Sequence, residues 1–424
     1  MSAPTETPPT APIRPNRSAF AALQHRDFRL LWLGQIVSVT GSQMQLVAIN
    51  WHVYLLTRSA FALGMVGLFR GLPIVVCSLL GGVVADVMDR KRLMIVTQSI
   101  MLLSAGLLTT ATLLGWRSVW PIYILTGLSS AAVAFDIPAR QALMPTLVPP
   151  RDFANAVSLG LIVFNVATIV GPAIAGLLLA THGPAVIYAT NAASFLAVII
   201  ALLAMRTSGR VNESTEMATK ISFAAFKEGL SFVRRTPIIV QTMTLDFVAT
   251  FFASATALLP IFAEEVLKVG ARGLGILAAA PAMGSVLTAL VLARIGGVKR
   301  PGQVVIYSVA VFGLATTGFG LSRVFWFSLL MLAVSGAADT VSTVLRQTIR
   351  QLSTPNHLRG RMTSINMVFF MGGPQLGEVE AGVLASFIGA PLSVIVGGVG
   401  SVASAIAARF KAKSLVNYDD ERRT

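Results

Sequence analysis

Residues 81–95 read GGVVADVMDRKRLMI, placing five charges (Asp86, Asp89, Arg90, Lys91 and Arg92) between two strongly apolar stretches. So dense a polar break marks a place where the chain leaves an apolar phase and re-enters it. The stretches on either side, residues 61–85 and 93–116, each exceed the ~20 residues that a bilayer-spanning helix needs. Blocks of the same kind recur at 30–57, 153–180 and 184–205. Across all 424 residues 54% are hydrophobic and 12% charged, whereas a soluble domain carries roughly 25% charged residues. Such a chain cannot clothe a globular fold in polar surface. It reads as a polytopic membrane protein.

The formal net charge of +15 raises the question of nucleic acid, and its placement answers it. With twelve spans and a cytoplasmic N-terminus, 26 Lys/Arg fall on cytoplasmic segments. Only Arg58, Arg117, Lys268, Arg272 and Arg323 fall outside, while Arg70 and Arg294 lie within spans. That asymmetry follows the positive-inside rule, and no soluble segment is long enough to build a basic nucleic-acid face. The bilayer is the expected partner, both termini are expected in the cytoplasm, and the expected location is a bacterial inner membrane. Cys77 stands alone inside an apolar block, and His25, His52, His182 and His357 are scattered, so neither a metal site nor a cofactor is expected. The Pro-rich start, MSAPTETPPTAPIRPNRS, has no apolar core and reads as a disordered tail rather than a cleaved signal peptide.

The spans predicted are 28–56, 62–85, 93–115, 119–142, 154–180, 184–205, 237–262, 272–295, 302–321, 324–348, 361–387 and 390–409. They divide the chain into a tail (1–27), a six-helix bundle (28–205), a linker (206–236), a second six-helix bundle (237–410) and a C-terminal tail (411–424). In the linker, Phe223, Phe226, Leu230 and Val233 share one helical face, which fits an amphipathic helix on the membrane surface or a simple tether. The bundles resemble each other. Residues 140–183 align without a gap on 346–389, an offset of 206, with ten identities in 44 positions, among them Arg140/Arg346, Gly171/Gly377, Gly176/Gly382 and Gly183/Gly389. SAFALG (59–64) pairs separately with GARGLG (270–275). Two like-oriented halves are related by an axis along the membrane normal. The expected fold is all-α, with 12 transmembrane helices in two pseudo-symmetric six-helix bundles.

The spacing Gly82-x-x-x-Asp86-x-x-x-Arg90-Lys91-Arg92 resembles the signature loop of the major facilitator superfamily. WHVYLLTRSAFALG (51–64), FDIPARQALMPTLVPPRDFANAVSL (135–159), GPAIAG (171–176), LRGRMTSIN (358–366) and LGEVEAG (376–382) look like its siderophore-exporter and macrolide-efflux branch. Physically, Gly82 permits close helix contact and Asp86 sits at the membrane boundary, where an unpaired carboxylate is costly. Arg140 and the N-terminal dipole of a helix from the other half are candidate partners. The resemblance implies that this helix is the eleventh span, and that the contact latches the halves on the cytoplasmic side. Arg90, Lys91 and Arg92 are expected to hold the loop inside through topology and anionic lipid. Val87 and Asp89 depart from the usual pattern, though an Asp89-Arg90 pair resembles the exporter branch. The alternative is a cluster that only sets topology.

In the fifth span Ala167, Gly171 and Ala175 recur every fourth residue, allowing close helix approach, while Pro172 should bend the helix and Gly176 extends the seam. The stretch resembles an antiporter motif and implies export; plain packing is the alternative. Intramembrane ionisable groups are functional candidates because burial without a partner is costly. Asp246 is the first candidate for proton coupling and Glu378 the second, against a static ion pair, Arg70 being one partner open to it. Asp136 with Arg140, and Asp339 with Arg346, are spaced to share helical faces and read as structural or gating ion pairs ahead of substrate contacts. A polar stripe in the first span, including Gln43, Gln45 and Asn50, with Arg70 and Asn165, is the candidate substrate cavity; His52 suits an interfacial role.

These features point to a monomeric secondary transporter that exports a small hydrophobic or amphiphilic molecule in exchange for protons, the halves rocking about a midplane cavity. Import, or flipping of a lipid-like substrate, would use the same fold. A membrane enzyme would need clustered ligands or a nucleophile with a base, and the sequence offers neither.

Overall fold

The computed structural model describes residues 20–209, 223–295, 297–355 and 358–418, all of it helix, turn and connecting chain with no strand. The N-terminal half consists of α1 (Arg26–Thr57), α2 (Ala60–Val87), α3 (Arg90–Leu113), α4 (Trp120–Leu147), α5 (Phe153–His182) and α6 (Pro184–Ala204). A short helix, α7 (Phe223–Arg235), leads into the second half. There α8 (Pro237–Phe252) and the single turn α9 (Leu259–Ile261) form one interrupted span. It is followed by α10 (Gly270–Ile295), α11 (Pro301–Leu321), α12 (Phe325–Leu352), α13 (Arg359–Ile388), α14 (Ala390–Lys411) and the turn α15 (Lys413–Val416).

Ten of these segments are long and apolar enough to cross a membrane. The other two of spanning length are α1 and α13, of 32 and 30 residues. Both carry polar residues along their length: Gln35, Gln43, Gln45, Asn50 and His52 on α1, and Gln375, Glu378 and Glu380 on α13. These are the helices that face neighbours rather than lipid alone, so their polarity belongs to packing and to the site.

The packing repeats pair by pair. In the first half α1 packs on α5 and α6, α2 on α4, and α3 on α4 and α6. In the second half α8 packs on α13 and α14, α10 on α12, and α11 on α12 and α14. Between halves α2 lies on α13, and its counterpart α10 lies on α5. Two bundles of six related by a pseudo-twofold axis are therefore the architecture, as the internal repeat predicts. Helix ends repeat too. Gly183 and Gly389, aligned at the offset of 206, end α5 and α13 with φ of 76° and 85°. Glycine reaches that left-handed region without a Cβ penalty, and a proline follows in the first turn of α6 and of α14.

Three boundaries differ from expectation. The seventh span does not run unbroken over 237–262. It stops at Phe252 and resumes through a 3-10 turn, α9 and a π turn ending at Val266. Pro260 has no N–H for a helical bond and would crowd the carbonyl four residues back, while the single Ser254 hydroxyl lies within donating reach of the carbonyls of Thr250 (2.7 Å) in α8 and Pro374 (3.2 Å) in α13. Residues 20–27, assigned to a disordered tail, include a 3-10 turn whose Ala22 N–H donates to Asn155 Oδ1 at 2.9 Å. In the C-terminal tail Leu415 and Val416 are buried. Residues 1–19, 210–222 and 419–424 and His357 lie outside the described residues.

The helix α7 is amphipathic in sequence, and its Val233 and Leu230 join Ile239 and Met243 of α8 and Met362 and Ile365 of α13 in one apolar cluster. It packs on the start of α13 rather than hanging as a tether.

Candidate functional site

The terminal face of the bundle is the one at which α1 begins and α14 ends. The two halves meet in the part of the molecule away from it. At that far end Tyr54 Oη of α1 donates to Glu265 Oε1 of the π turn at 2.7 Å, and Arg58 Nη1 donates to Tyr54 Oη at 2.9 Å. Below this tie run two seams. A Cβ on Gly64 of α2 would lie 3.0 Å from Gly382 Cα of α13; one on Gly176 of α5 would lie 2.8 Å from Gly275 Cα of α10. Gly64 aligns with Gly275 and Gly382 with Gly176 in the internal repeat, so the two seams are the same contact made twice by symmetry. Only glycine allows backbones this close. Along α2 the contact continues through Gly67 against Glu378 and Gly71 against Gln375, about 16 Å into the helix at 1.5 Å per residue. It then ends: a Cβ on Gly372 would meet nothing within 4 Å. Among the described residues the glycine seam does not continue from there toward the terminal face.

The seams differ at one place. Where α5 carries Pro172, the aligned position on α13 is Glu378; where α10 carries Pro281, the aligned position on α2 is Arg70. One seam thus has two prolines and the other an ion pair, with Arg70 Nη2 3.2 Å from Glu378 Oε1. Of the two candidate carboxylates, Glu378 takes the Arg70 pairing left open above, and Asp246 does not. Beside this pair, on its terminal side, lies a largely apolar cavity of about 240 Å³ that straddles the halves, walled by Gly67, Gly71, Phe247, Phe369 and Gln375. A second cavity of about 250 Å³, at the break in the seventh span, is hydroxyl-rich, with Thr250, Ser254, Ser285, Thr316 and Asp339 in its wall.

Asp246 instead meets Arg346 of α12 at 2.5 Å, within the second half. Arg346 is 1% exposed. Asp339, expected to pair with Arg346, is 3.8 Å away and about half exposed at its side chain, because the closer and more buried Asp246 holds the guanidinium. In the first half the helix-face prediction holds: Arg140 pairs with Asp136, which is 0% exposed and also accepts from Thr97 Oγ1 (2.9 Å) and Gln98 Nε2 (3.0 Å) of α3. Arg140 is therefore engaged within its own helix. Gly82 and Asp86 fall on α2, but their side chains are outside the described residues. The rest of that loop is built inward. Asp89 caps α3 by accepting from Arg92 N–H (3.0 Å), Arg90 Nη1 donates to Ala142 carbonyl (2.9 Å), and Lys91 Nζ donates to Met205 carbonyl (2.8 Å). Lys91 thus meets the carbonyl end of α6 and Arg90 a carbonyl near the end of α4, while Arg92 is exposed.

The expected cavity residues separate. Asn165 is exposed on the α5 face that also bears Pro172, so it borders the cleft. Gln43 packs at the α1–α5 contact beside Gly171, and Asn50 is half-buried. Gln45 is no cavity residue. It is buried and its Oε1 accepts from Asn191 Nδ2 of α6 at 2.8 Å, while Ser194 Oγ donates to Asn191 Oδ1 at 2.9 Å. His52 is likewise buried, with Nδ1 3.2 Å from Tyr188 Oη. Replacing Asn191 with Ala takes the donor from buried Gln45 Oε1, while Ser194 keeps its bond to the residue 191 carbonyl (2.7 Å); the loss should cost about 1–3 kcal/mol. A lower unfolding temperature of the purified protein checks this; an unchanged one removes the network from the core. Residues absent from the sequence reading are Asn191, Tyr54 with Glu265, and Arg350. The aligned glycines 64 and 275 were visible as a repeat, but nothing in one sequence says which helices touch.

Residues 17–422 match the profile of a family described as transmembrane secretion effector. The enterobactin exporter EntS of Citrobacter koseri is 25% identical over 378 residues, 89% of this chain and 90% of the exporter. EntS of Escherichia coli O1:K1 is 25% identical over 376 residues, 89% of each. Among solved structures, the nucleoside transporter NupG aligns with a TM-score of 0.69 at 14% identity, covering 93% of this chain and 100% of that one. A bacterial homologue of the human lysosomal transporter Spinster, in an inward-facing and unoccupied conformation, aligns with a TM-score of 0.72 at 16% identity over 92% and 98% of the two chains. Likenesses this distant in sequence speak for the fold.

Proposed function

The chain belongs to the transmembrane secretion effector family of major facilitator transporters, and on that premise we propose that it exports a small hydrophobic or amphiphilic organic compound from the cytoplasm in exchange for protons. That it is a multi-pass membrane transporter follows from the family and the spans; direction, coupling and cargo class are the proposal. The terminal face is the cytoplasmic one, in keeping with the placement of Lys and Arg. The observation that carries the reading is the one-sided joining of the halves: two glycine seams hold the outer side and, among the described residues, do not reach the inner side, with an ion pair near the inner limit of one seam. An apolar cavity beside that pair suits an apolar cargo. The names of the matched exporters, which move enterobactin, support the outward direction.

Alternating access requires the outer seams to part while the inner rim closes, the Gly82/Asp86 loop latching the closed inner side. Of the two candidate carboxylates, Glu378 has its cation on the other half, whereas Asp246 has its cation on its own. Protonating Glu378 removes an attraction between halves; protonating Asp246 does not. Glu378 is therefore the coupling group in this proposal, ahead of Asp246, which ties α8 to α12. A proton is taken up when the outer side opens and lost to the cytoplasmic cleft when the pair re-forms.

The test is transport by proteoliposomes of a panel of apolar and amphiphilic compounds, with and without a pH gradient. At least one compound should move against its gradient only when protons run the other way. Movement that never depends on the gradient would leave a facilitator in place of an antiporter.

A further inference from the structure

Between the inner ends of α12 and α13 lies a cavity of about 230 Å³ that the cleft described above does not include. Thr343, Arg350 and Asn366 contribute its polar wall, Met362 and Phe370 an apolar one. Arg350 is 4% exposed, and its Nη1 is buried without a hydrogen-bond partner. Asn366 Oδ1 is also buried and unpartnered. Among the described residues no carboxylate lies within ion-pair distance of Arg350. The acidic groups of this bundle that could serve, Asp246 and Asp339, are both directed to Arg346, at 2.5 and 3.8 Å. Arg350 therefore adds a second buried guanidinium beside one already neutralised. A buried guanidinium that has only the field of Asp246, shared with Arg346, to offset its burial is disfavoured, and an anion arriving in the cavity relieves it.

We propose that this cavity binds the anionic head of an amphiphilic organic acid. A carboxylate accepts from the Arg350 guanidinium, a charge-assisted bond of the strong kind. A neighbouring hydroxyl of the ligand donates to Asn366, and the ligand's apolar part lies against Met362 and Phe370, the latter 46% exposed at the rim. The inference deepens the export reading, on which its physiological meaning rests, by giving the cargo a charge. A lipid headgroup offers the same chemistry and is separated by the test.

The probe is radiolabelled benzoate, bound to the full-length purified protein in phosphatidylcholine nanodiscs. Binding should be saturable, displaced by salicylate and not by neutral benzamide. Arg350→Gln should weaken it about tenfold or more, the worth of one charge-assisted bond. Thr363→Trp, at an exposed position in the cavity wall, should block it while leaving Arg350 in place, and so reports on the cavity even if the Arg350 variant folds poorly. Adding phosphatidylglycerol to the disc identifies the source: a fall in benzoate binding supports a lipid headgroup as occupant of the anion site, and no change supports a soluble acid. No saturable benzoate binding, equal binding of benzamide, or unaltered binding by both variants overturns the proposal. If proton-driven efflux persists without benzoate binding, only this inference fails; if benzoate binds but nothing is driven by protons, only the export reading fails.

Discussion

Glu378→Gln should abolish proton-driven transport while leaving the chain folded and inserted. Glutamine keeps the shape of the side chain and can still accept from Arg70, but it cannot take up or release a proton and carries no charge. The direct pair it replaces, at 3.2 Å, joins α2 to α13 across the halves. Removing the charge from such a bond is worth about 1–3 kcal/mol, which moves the balance between outer-closed and outer-open forms about ten- to a hundredfold toward the open one. In proteoliposomes the variant should equilibrate cargo but not accumulate it, whatever the pH difference. Glu380→Gln is the control: its carboxyl has no partner across the seam among the described contacts, and coupling should survive. Asp246→Asn should act on stability, because Arg346 is left buried and charged, and what folds should still respond to the gradient. A Glu378→Gln protein that concentrates cargo as the wild type does, or an Asp246→Asn protein that folds but loses only the gradient response, would move the coupling role to Asp246.

The order of those two carboxylates could not be read from sequence, for a definable physical reason. Helical periodicity tells which residues share a face, so Asp136 and Arg140, four apart on one helix, were paired correctly. It does not tell which helix that face meets. Asp246, Arg70 and Glu378 lie on three different helices, and their pairing depends on how those helices cross. Asp339 and Arg346, seven apart, share a face as expected, yet Arg346 takes the carboxylate offered by α8 because it is nearer and drier. Gln45 failed in the same way: its stripe on α1 was visible, and its partner Asn191 on α6 was not. Arg350 gave no sign at all, since an arginine at the end of a helix reads as a solvated cap until its burial is known. The architecture was far more legible. Spans follow from apolar length, and the second half repeats the first closely enough for two offsets, 206 and 211, to bring Gly64 onto Gly275 and Gly176 onto Gly382. Where an internal repeat exists, a single chain carries a little of the pairing information that an alignment would supply. The exception within the repeat, an ion pair where the other seam has prolines, is where the proposed coupling lies.

Those glycines also make the strongest mechanical prediction. Gly64→Leu and Gly176→Leu sit on different helices of the first half and touch different helices of the second, yet both should drive the protein out of its inner-open form by the same route. At each, the Cβ alone already falls 3.0 or 2.8 Å from the Cα of the facing glycine, so the remainder of a leucine has no space unless the backbones separate. Overpacking of this kind costs typically 1–3 kcal/mol and more when backbone must move. The outer-open form has no such contact to lose, so the whole cost falls on the closed seam. A reporter cysteine in place of Asn165, on the face of α5 bordering the cleft, in a Cys77→Ser background, reads the effect. A membrane-impermeant thiol reagent added from the cytoplasmic side should label it readily in the parent and about tenfold more slowly in either wedge variant, and cargo export should fall in step. Gly106→Leu, where nothing lies within 4 Å of the added carbon, should behave as the parent. If one wedge blocks labelling and the other does not, the seams do not part together, and a rocking of rigid halves about a common axis is the wrong description of this transporter.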